Sequence, residues 1–351
     1  MSFKKFFHRF TALILAASLS GAVFGSAESA GPNNFIYASA SGGGDGKSAE
    51  SPMSFDDALN AVKDDGTVYI IGTVGSAETG HYPLGRTDKA INFVGVGSDA
   101  AITSKNTYNL AGKISFSNLR FTPANRYDPF GFKSEREVGV DVTFGENITT
   151  PTVDANNKNV AFLTANTENK MTVNSGNFGI VAAGGWGASL AGVNTDITVN
   201  GGSVDTLAVA YGYRKNTDSA LIWKGNYSFT VNGGTVNNIT MGHTFQLANT
   251  THGVVKAVIN GGTVGTLCMT ADRQDTGSSG LRIAEINGGS VNTVKVASQT
   301  PIYKNYKTIA IFNNSTADSA GSISGIDTVI RAGDGGKVSA VTEKNAVIGY
   351  K

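Results

Sequence analysis

The feature that most constrains this chain is an internal repeat built around asparagine and glycine. Five times between residues 171 and 299, a short β-prone segment ends in Asn-Gly-Gly or a close variant of it. These corners are 26, 32, 28 and 27 residues apart, and their asparagines are Asn174, Asn200, Asn232, Asn260 and Asn287. Such a period, with two or three short strands per unit, predicts a stacked coil, because one unit cannot bury its apolar side alone.

Stacking also predicts what the asparagines do. If each repeat forms one rung, the five corner residues fall in register along the coil, where their side-chain amides can hydrogen-bond to one another. Asparagine and glycine both accept the positive φ that a tight corner requires. The repeat therefore predicts an all-β solenoid with a structural column of asparagines.

Composition agrees with a packed β-protein. The chain has 351 residues, of which 45 are glycine without a three-residue period, so collagen is excluded, and 40% are hydrophobic, which permits a core. The net charge of +1 does not indicate a nucleic-acid or anionic-membrane partner. The single cysteine, Cys268, excludes an intrachain disulfide and a thiolate-rich metal site, and its apolar segment predicts a buried strand position.

The amino terminus has the pattern of an export signal. Three basic residues open the chain: Lys4, Lys5 and Arg9. An apolar stretch over residues 10–24 is shorter than a membrane span, and small residues offer cleavage after Ala27 or Ala30. We therefore predict a signal peptide over residues 1–30, a single β-helix domain over 31–351, and a secreted or cell-surface protein without a transmembrane anchor after cleavage.

Residues 34–74 differ in pattern from the repeats. A β-prone segment precedes a glycine-rich loop, and Ser54 is then suited to cap a helix that carries Asp56 and Asp57 in its first turn. The segment Gly-Thr-Val-Tyr-Ile follows at residues 66–70 and predicts a strand. We expect residues 34–74 to form an amino-terminal cap and the first rung, ahead of regular Asn-Gly-Gly rungs over residues 171–299.

Together, the strand, glycine loop, helix and Gly-Thr-Val-Tyr-Ile of residues 34–74 and the Asn-Gly-Gly rungs resemble the pectate-lyase-like right-handed parallel β-helix superfamily. The resemblance extends from residue 34 to about residue 330 and is to exported bacterial members of the surface type. It implies a single-stranded right-handed parallel β-helix whose amino-terminal helix shields the open end of the core. The architecture hosts lyases, hydrolases, adhesins and inert surface proteins, so it does not specify an activity.

Hydrolases of this superfamily carry short motifs that this chain matches only in part, at Asp196, His243 and Arg282. Asp196 lies four residues before its corner asparagine, whereas His243 lies eleven residues after its own, so the two fall on different sides of a coil. Alanine stands at position 284, where the last hydrolase motif has lysine. Because paired carboxylates must flank the scissile bond at a fixed separation, this spacing does not predict a hydrolase.

An alignment of the rungs on their second strand suggests a ligand surface. The column Ile180, Leu207, Ile239, Leu267 and Val294 places an aromatic or arginine six residues further on in four rungs. Aromatic faces stack on sugar rings and arginine pairs with carboxylates, although such aromatics can equally close gaps between loops. The predicted glycan-binding residues are Trp186, Tyr211, Tyr213, Arg214, Phe245 and Arg273.

The sequence therefore predicts an exported, non-enzymatic protein whose partner is an extracellular polysaccharide or surface glycan. No catalytic residue, metal site or cofactor is assigned. One alternative is a polysaccharide lyase that uses Asp272, Arg273 and Asp275, and only in that case is calcium expected; these three residues are otherwise a solvated ion pair in a loop. Another alternative is a structural envelope protein or adhesin without a small ligand.

Overall fold

The computed structural model describes most of the chain beyond its amino terminus. The described residues are 34–78, 81–105, 107–123, 131–134, 139–151, 160–162, 168–186, 190–211, 222–244, 250–271, 278–297, 306–313, 320–332 and 347–350. The chain divides into two units, Met1–Asn33 and Asn34–Lys351, and the first lies outside the described residues. The predicted signal peptide therefore stays a prediction.

The described residues form one short helix and 23 strands. The helix is α1, Phe55–Ala61. The strands are β1 Phe35–Ser39, β2 Met53–Ser54, β3 Gly66–Ser76, β4 His81–Ser104, β5 Thr107–Ser117, β6 Arg120–Pro123, β7 Gly131–Ser134, β8 Val140–Phe144, β9 Val160–Phe162, β10 Glu168–Val173, β11 Asn177–Trp186, β12 Leu190–Val199, β13 Ser203–Tyr211, β14 Ile222–Val231, β15 Thr235–Thr244, β16 Thr250–Ile259, β17 Thr263–Cys268, β18 Ser279–Ile286, β19 Ser290–Lys295, β20 Tyr306–Asn313, β21 Ala320–Ser324, β22 Thr328–Ala332 and β23 Val347–Tyr350.

These strands build a right-handed parallel β-helix, which confirms the predicted fold class. Parallel pairing joins each strand to one from the neighbouring rung, so the strands form long sheets along the solenoid axis. The first sheet runs β1, β3, β4, β5, β8, β10, β12, β14, β16, β18, β20, β22, β23. The second sheet runs β4, β5, β7, β9, β11, β13, β15, β17, β19, β21.

The helix α1 forms where the sequence predicted it. The Ser54 hydroxyl accepts a hydrogen bond from the Asp57 backbone N–H at 3.2 Å, which caps the amino terminus. Phe55, Ala58 and Leu59 are buried, and the Phe55 ring packs against Phe93 with centroids 5.9 Å apart. The helix ends at Ala61, and the backbone N–H of Val62 donates to the Ala58 carbonyl oxygen at its carboxyl end. Its role as a shield over the open end of the core remains a prediction.

Strand alternation places every second residue of the first sheet in the interior. One inward row is apolar from β1 to β20 and lies in continuous register from rung to rung. It consists of Ile36, Val68, Phe93, Phe116, Phe144, Val173, Val199, Val231, Ile259, Ile286 and Phe312, all of which are buried. This stacking is how each rung buries the apolar side that it cannot cover alone.

The corner asparagines form a hydrogen-bonded column at the end of the first-sheet strands. In each step the side-chain amide donates to the carbonyl oxygen of the preceding member at 2.8 Å, and the column runs through Asn174, Asn200, Asn232, Asn260, Asn287 and Asn313. Asn313 extends the set that the repeat had indicated. The same bond joins Asn147 to Asn118 in earlier rungs.

In the regular Asn-Gly-Gly corners, positive φ falls on the final glycine and not on the asparagine, whereas in the earlier rungs Asn118 and Asn147 themselves have φ of +53°. Gly234 has φ +73°, and a Cβ there would lie 2.6 Å from the Gly202 carbonyl oxygen in the previous rung. Glycine is therefore required for both its backbone angle and the close approach of stacked corners. The asparagine is left to form the column.

Candidate functional site

One outward row of the first sheet carries alternating charge, and we call it the charge file. It consists of Lys113, Asp141, Lys170, Asp196, Ser228 and Lys256. Each member pairs in register with the next, so successive side chains are one rung, or about 4.8 Å, apart. Opposite charges on adjacent strands stabilise the sheet, which is a structural reason for this alternation.

The charges at the centre of the file are not neutralised by contact with one another. Lys170 lies in register between Asp141 and Asp196. In the described parts of the chain no ion pair joins these three side chains; the nearest pair on this face is Lys256 with Glu285, at 3.0 Å. The Lys170 ammonium and both carboxylates are therefore open to a ligand.

A shallow groove lies over the charge file. It is formed by two depressions of about 400 and about 390 Å³, which share Asp196 and Ser228. We call the two together the outer groove. Its outward-facing lining residues are Asp141, Lys170, Thr172, Asn194, Asp196, Thr198, Asn226, Ser228, Thr230, Val254 and Lys256.

The outer groove runs along the solenoid axis. Its lining crosses five consecutive strands of the first sheet, from β8 to β16. Four intervals of about 4.8 Å give a length of about 19 Å. A groove of this length suits an extended polymer better than a compact small molecule.

A row on each side borders the charge file. On the side of the asparagine column lies a row of threonines, Thr143, Thr172, Thr198 and Thr230. On the other side the exposed Glu168 lies in register with Asn194, and Asn226 donates to the Asn194 side-chain oxygen at 3.2 Å. The groove thus offers hydroxyl, amide, carboxylate and ammonium groups, which suit the hydroxyl-rich surface of a carbohydrate.

Beyond Lys256 the row of the charge file becomes apolar, because Ile283 and Ile309 follow Lys256 in register and are half-buried. The same face still carries Glu285, which pairs with Lys256, and the exposed Lys307. The charge file therefore ends at Lys256.

A second polar cluster lies inside the solenoid. A further inward row of the first sheet lies four residues before the apolar row on each strand. It contains the buried residues Asn169, Thr195, Tyr227, Val255, Arg282 and Thr308. Arg282 is fully buried, and its three nitrogens donate to the carbonyl oxygens of Met241, Gly253, Leu281 and Thr251 and to the Thr251 hydroxyl, at 2.8 to 3.2 Å. Arg282 joins neighbouring rungs from within the coil.

Aromatic and polar side chains surround this arginine. The Trp223 ring stacks on the His243 ring with centroids 6.3 Å apart, and both are buried. The Trp223 indole nitrogen and the Tyr227 hydroxyl have no hydrogen-bond partner among the described residues. Burial raises the pKa of Tyr227 above its ordinary value, and the charge of Arg282 opposes that shift. The cluster is enclosed by the coil, so we treat it as structural.

The residues predicted to stack on sugars fall mostly outside the described parts of the chain. Tyr213, Arg214, Phe245 and Arg273 lie outside them. Tyr211 is only 8% exposed, so its ring offers little surface for stacking. Trp186 ends β11, and the described structure does not extend to its side chain.

The register of the second sheet agrees with the alignment that suggested the aromatic surface from Leu207 to Val294, but not at β11. Val181, not Ile180, pairs with Leu207, and Trp186 pairs with Tyr211 rather than with a residue two positions later. Register shifts occur between Gly184 and Trp186 and within β13. A bulge adds one residue to a strand and moves every later side chain by one position, which the sequence alignment did not include.

The residues of the lyase alternative, Asp272, Arg273 and Asp275, also lie outside the described residues. Within the described ranges, no group of three or more histidine, cysteine or acidic side chains is placed to hold a metal ion. Cys268 is a buried free thiol in β17. Nowhere in the described structure does a helix have the length and apolar character that crossing a membrane requires.

The outer groove was not predicted from the sequence, although the sequence carries a signal for it. Lys170, Asp196, Ser228 and Lys256 each lie four residues before a corner asparagine. Aligning the repeats on the asparagines, rather than on the second strand, places these side chains in one row. For Asp196 alone, the same offset had served only as a reason against a hydrolase.

No protein family, curated protein or solved structure matches this chain. The fold assignment therefore rests on strand order and register.

Proposed function

We propose that this chain is an exported, non-enzymatic protein, secreted or held at the cell surface, that binds extracellular polysaccharide in the outer groove. The observation that carries the proposal is a polar groove that crosses five rungs and holds Asp141, Lys170 and Asp196, which form no ion pair with described residues, next to hydroxyl and amide groups. The export pattern of residues 1–30 supports the location. A place in the pectate-lyase-like superfamily, which the parallel β-helix supports, is part of the same proposal.

The aromatic residues at Trp186, Tyr213 and Phe245, with Arg214 and Arg273, remain a second proposed contact surface for the same glycan. Of these residues only Trp186 lies in a described strand, at the end of β11 in the second sheet, whereas the outer groove lies on the first. Binding at either surface requires no cofactor.

The test is a retention assay with the full chain, purified from an exporting host, and a panel of neutral and acidic polysaccharides with and without calcium. Retained protein and released reducing or unsaturated sugar are measured in the same tube. We expect retention without product. Asp196→Ala should weaken retention about tenfold, because a hydrogen bond to a charged group contributes about 1.5 to 3 kcal/mol.

Glu146→Ala is the matched control, because Glu146 is an exposed carboxylate at a corner outside the groove. Equal retention of both variants would remove the outer groove from the proposal. Calcium-dependent release of unsaturated sugar would instead favour the lyase alternative and Asp272, Arg273 and Asp275. The absence of both retention and product across the panel would favour the structural or adhesive alternative.

A further inference from the structure

The order of charges in the charge file restricts which polysaccharides can bind, beyond a general affinity for sugars. Along the groove the side chains follow the order Asp141, Lys170, Asp196, Ser228 and Lys256, with one residue per rung. These protein side chains therefore form a linear row of binding groups that are spaced about 4.8 Å apart. A ligand that fits must present its own groups with a similar repeat.

An extended polysaccharide meets this requirement when it runs parallel to the solenoid axis. One pyranose unit of an extended chain advances by nearly the length of one rung, so successive sugars lie over successive strands. A groove of about 19 Å then accommodates about four units. A chain that crossed the sheet along the strands would leave the groove after one or two units.

The alternation of charge selects among such polymers. A carboxylate over Lys170 is favoured, but a carboxylate on the next sugar in either direction would face Asp141 or Asp196, and like charges at this separation repel. A neutral sugar at those two positions can instead donate hydroxyl hydrogen bonds to the carboxylates. The pattern thus favours a carboxylate on every second sugar.

We infer that the outer groove recognises a linear polysaccharide with an alternating repeat, in which a uronic acid over Lys170 is flanked by uncharged sugars over Asp141 and Asp196. This inference rests on the proposed function and deepens it by naming the ligand class. A homopolymer with a carboxylate on every sugar and a fully neutral chain are both poorer ligands.

The test compares three oligosaccharides of equal length by calorimetry with the full chain: a hyaluronan fragment, which alternates uronate and N-acetylated sugar, an oligogalacturonate, which is charged on every sugar, and a neutral cello-oligosaccharide. We expect the alternating fragment to bind at least about threefold more tightly than either of the others, since one exposed ion pair contributes up to about 1 kcal/mol.

Two substitutions separate the roles of the charges. Lys170→Gln should weaken the alternating fragment about three- to fivefold and leave the neutral chain unchanged. Asp196→Asn should strengthen oligogalacturonate, because it removes a repulsive neighbour. Lys307→Gln is the control, because Lys307 is an exposed lysine of the same sheet, five strands beyond Lys170 and outside the groove.

The outcomes distinguish the inferred alternating repeat from the proposed glycan-binding function on which it rests. Binding of all three ligands with equal affinity, or of oligogalacturonate most tightly and without response to Asp196→Asn, would overturn the alternating pattern and leave glycan binding in place. No binding of any of the three, together with no retention on the wider panel, would overturn both.

Discussion

The solenoid fills its interior in two different ways. In the early rungs the inward row of the first sheet holds phenylalanine, and the rings of Phe93, Phe116 and Phe144 stack at centroid distances of 5.3 and 5.6 Å. From β10 to β18 the same row holds valine and isoleucine. From β14 to β20 the inward row four residues earlier on each strand carries the polar residues Tyr227, Arg282 and Thr308.

The difference shows what the parallel coil requires and what it tolerates. The backbone pairing is the same in both regions, so it does not dictate the size of the inward side chains. An aromatic stack needs only apolar neighbours of matching size. A buried arginine is tolerated only where its N–H groups find oxygens, and in Arg282 all three nitrogens do.

The largest effect is expected in the aromatic region. Phe144→Ala should lower the free energy of unfolding by about 3 to 5 kcal/mol, because the ring contacts Phe116, Phe121, Phe132 and Phe178 and its loss leaves a cavity. Urea unfolding followed by circular dichroism measures it. Val231→Ala, in the same row of a later rung, should cost about 2 kcal/mol; equal losses would remove the contrast between the regions.

The polar interior should respond next most strongly. Arg282→Met keeps the unbranched stem as far as the position of Nε but leaves buried carbonyl oxygens without their donors, and we expect a loss of about 2 to 4 kcal/mol. Hydrogen exchange of the amides in β16 and β18 should report the weakened rungs. Arg120→Met is the control, because Arg120 is exposed, and it should change stability by less than about 0.5 kcal/mol. If Arg282→Met left the free energy of unfolding unchanged, the arginine would not join the rungs.

The smallest expected effect is the difference in stability between Tyr→Phe substitutions at two buried tyrosines. Tyr108, in the early region, donates to the Ile102 carbonyl oxygen at 2.8 Å, whereas the Tyr227 hydroxyl has no hydrogen-bond partner among the described residues. Tyr108→Phe should therefore cost about 1 kcal/mol, and Tyr227→Phe should leave stability unchanged or raise it by up to about 1 kcal/mol. Thermal unfolding of the two variants checks the sign. A clear loss on Tyr227→Phe would show that its hydroxyl is bonded in solution.

Much of the architecture could be predicted from the sequence because it is local or periodic. Ser54 and its acidic neighbours specify a helix start within a few residues, and α1 begins there. The Asn-Gly-Gly corners recur with one period, so the stacking of rungs and the column through Asn174 to Asn313 follow from spacing. Spacing did not decide which corner residue has positive φ, because glycine and asparagine share that preference.

The candidate site was harder to predict, since it depends on offsets between rungs. The aromatic alignment assumed a constant number of residues from strand to strand, and the bulge before Trp186 breaks that assumption by one position. The outer groove, by contrast, gathers side chains that are 26 to 32 residues apart in the chain. Their common offset from the asparagines was visible in the sequence. The sequence did not show that this row faces outward.

The sequence by itself determined the repeating rung, its corners and the amino-terminal helix, because turn chemistry and strand periodicity act over a few residues. Only the tertiary structure decided which rows face the solvent, where the register shifts, and that an arginine lies inside the coil. Those properties depend on the way each strand turns at its corners and pairs with the previous rung, so one bend or bulge reassigns the residues that follow it. The charge file is the clearest example: six residues from six strands become a continuous polar row only once the rungs are stacked.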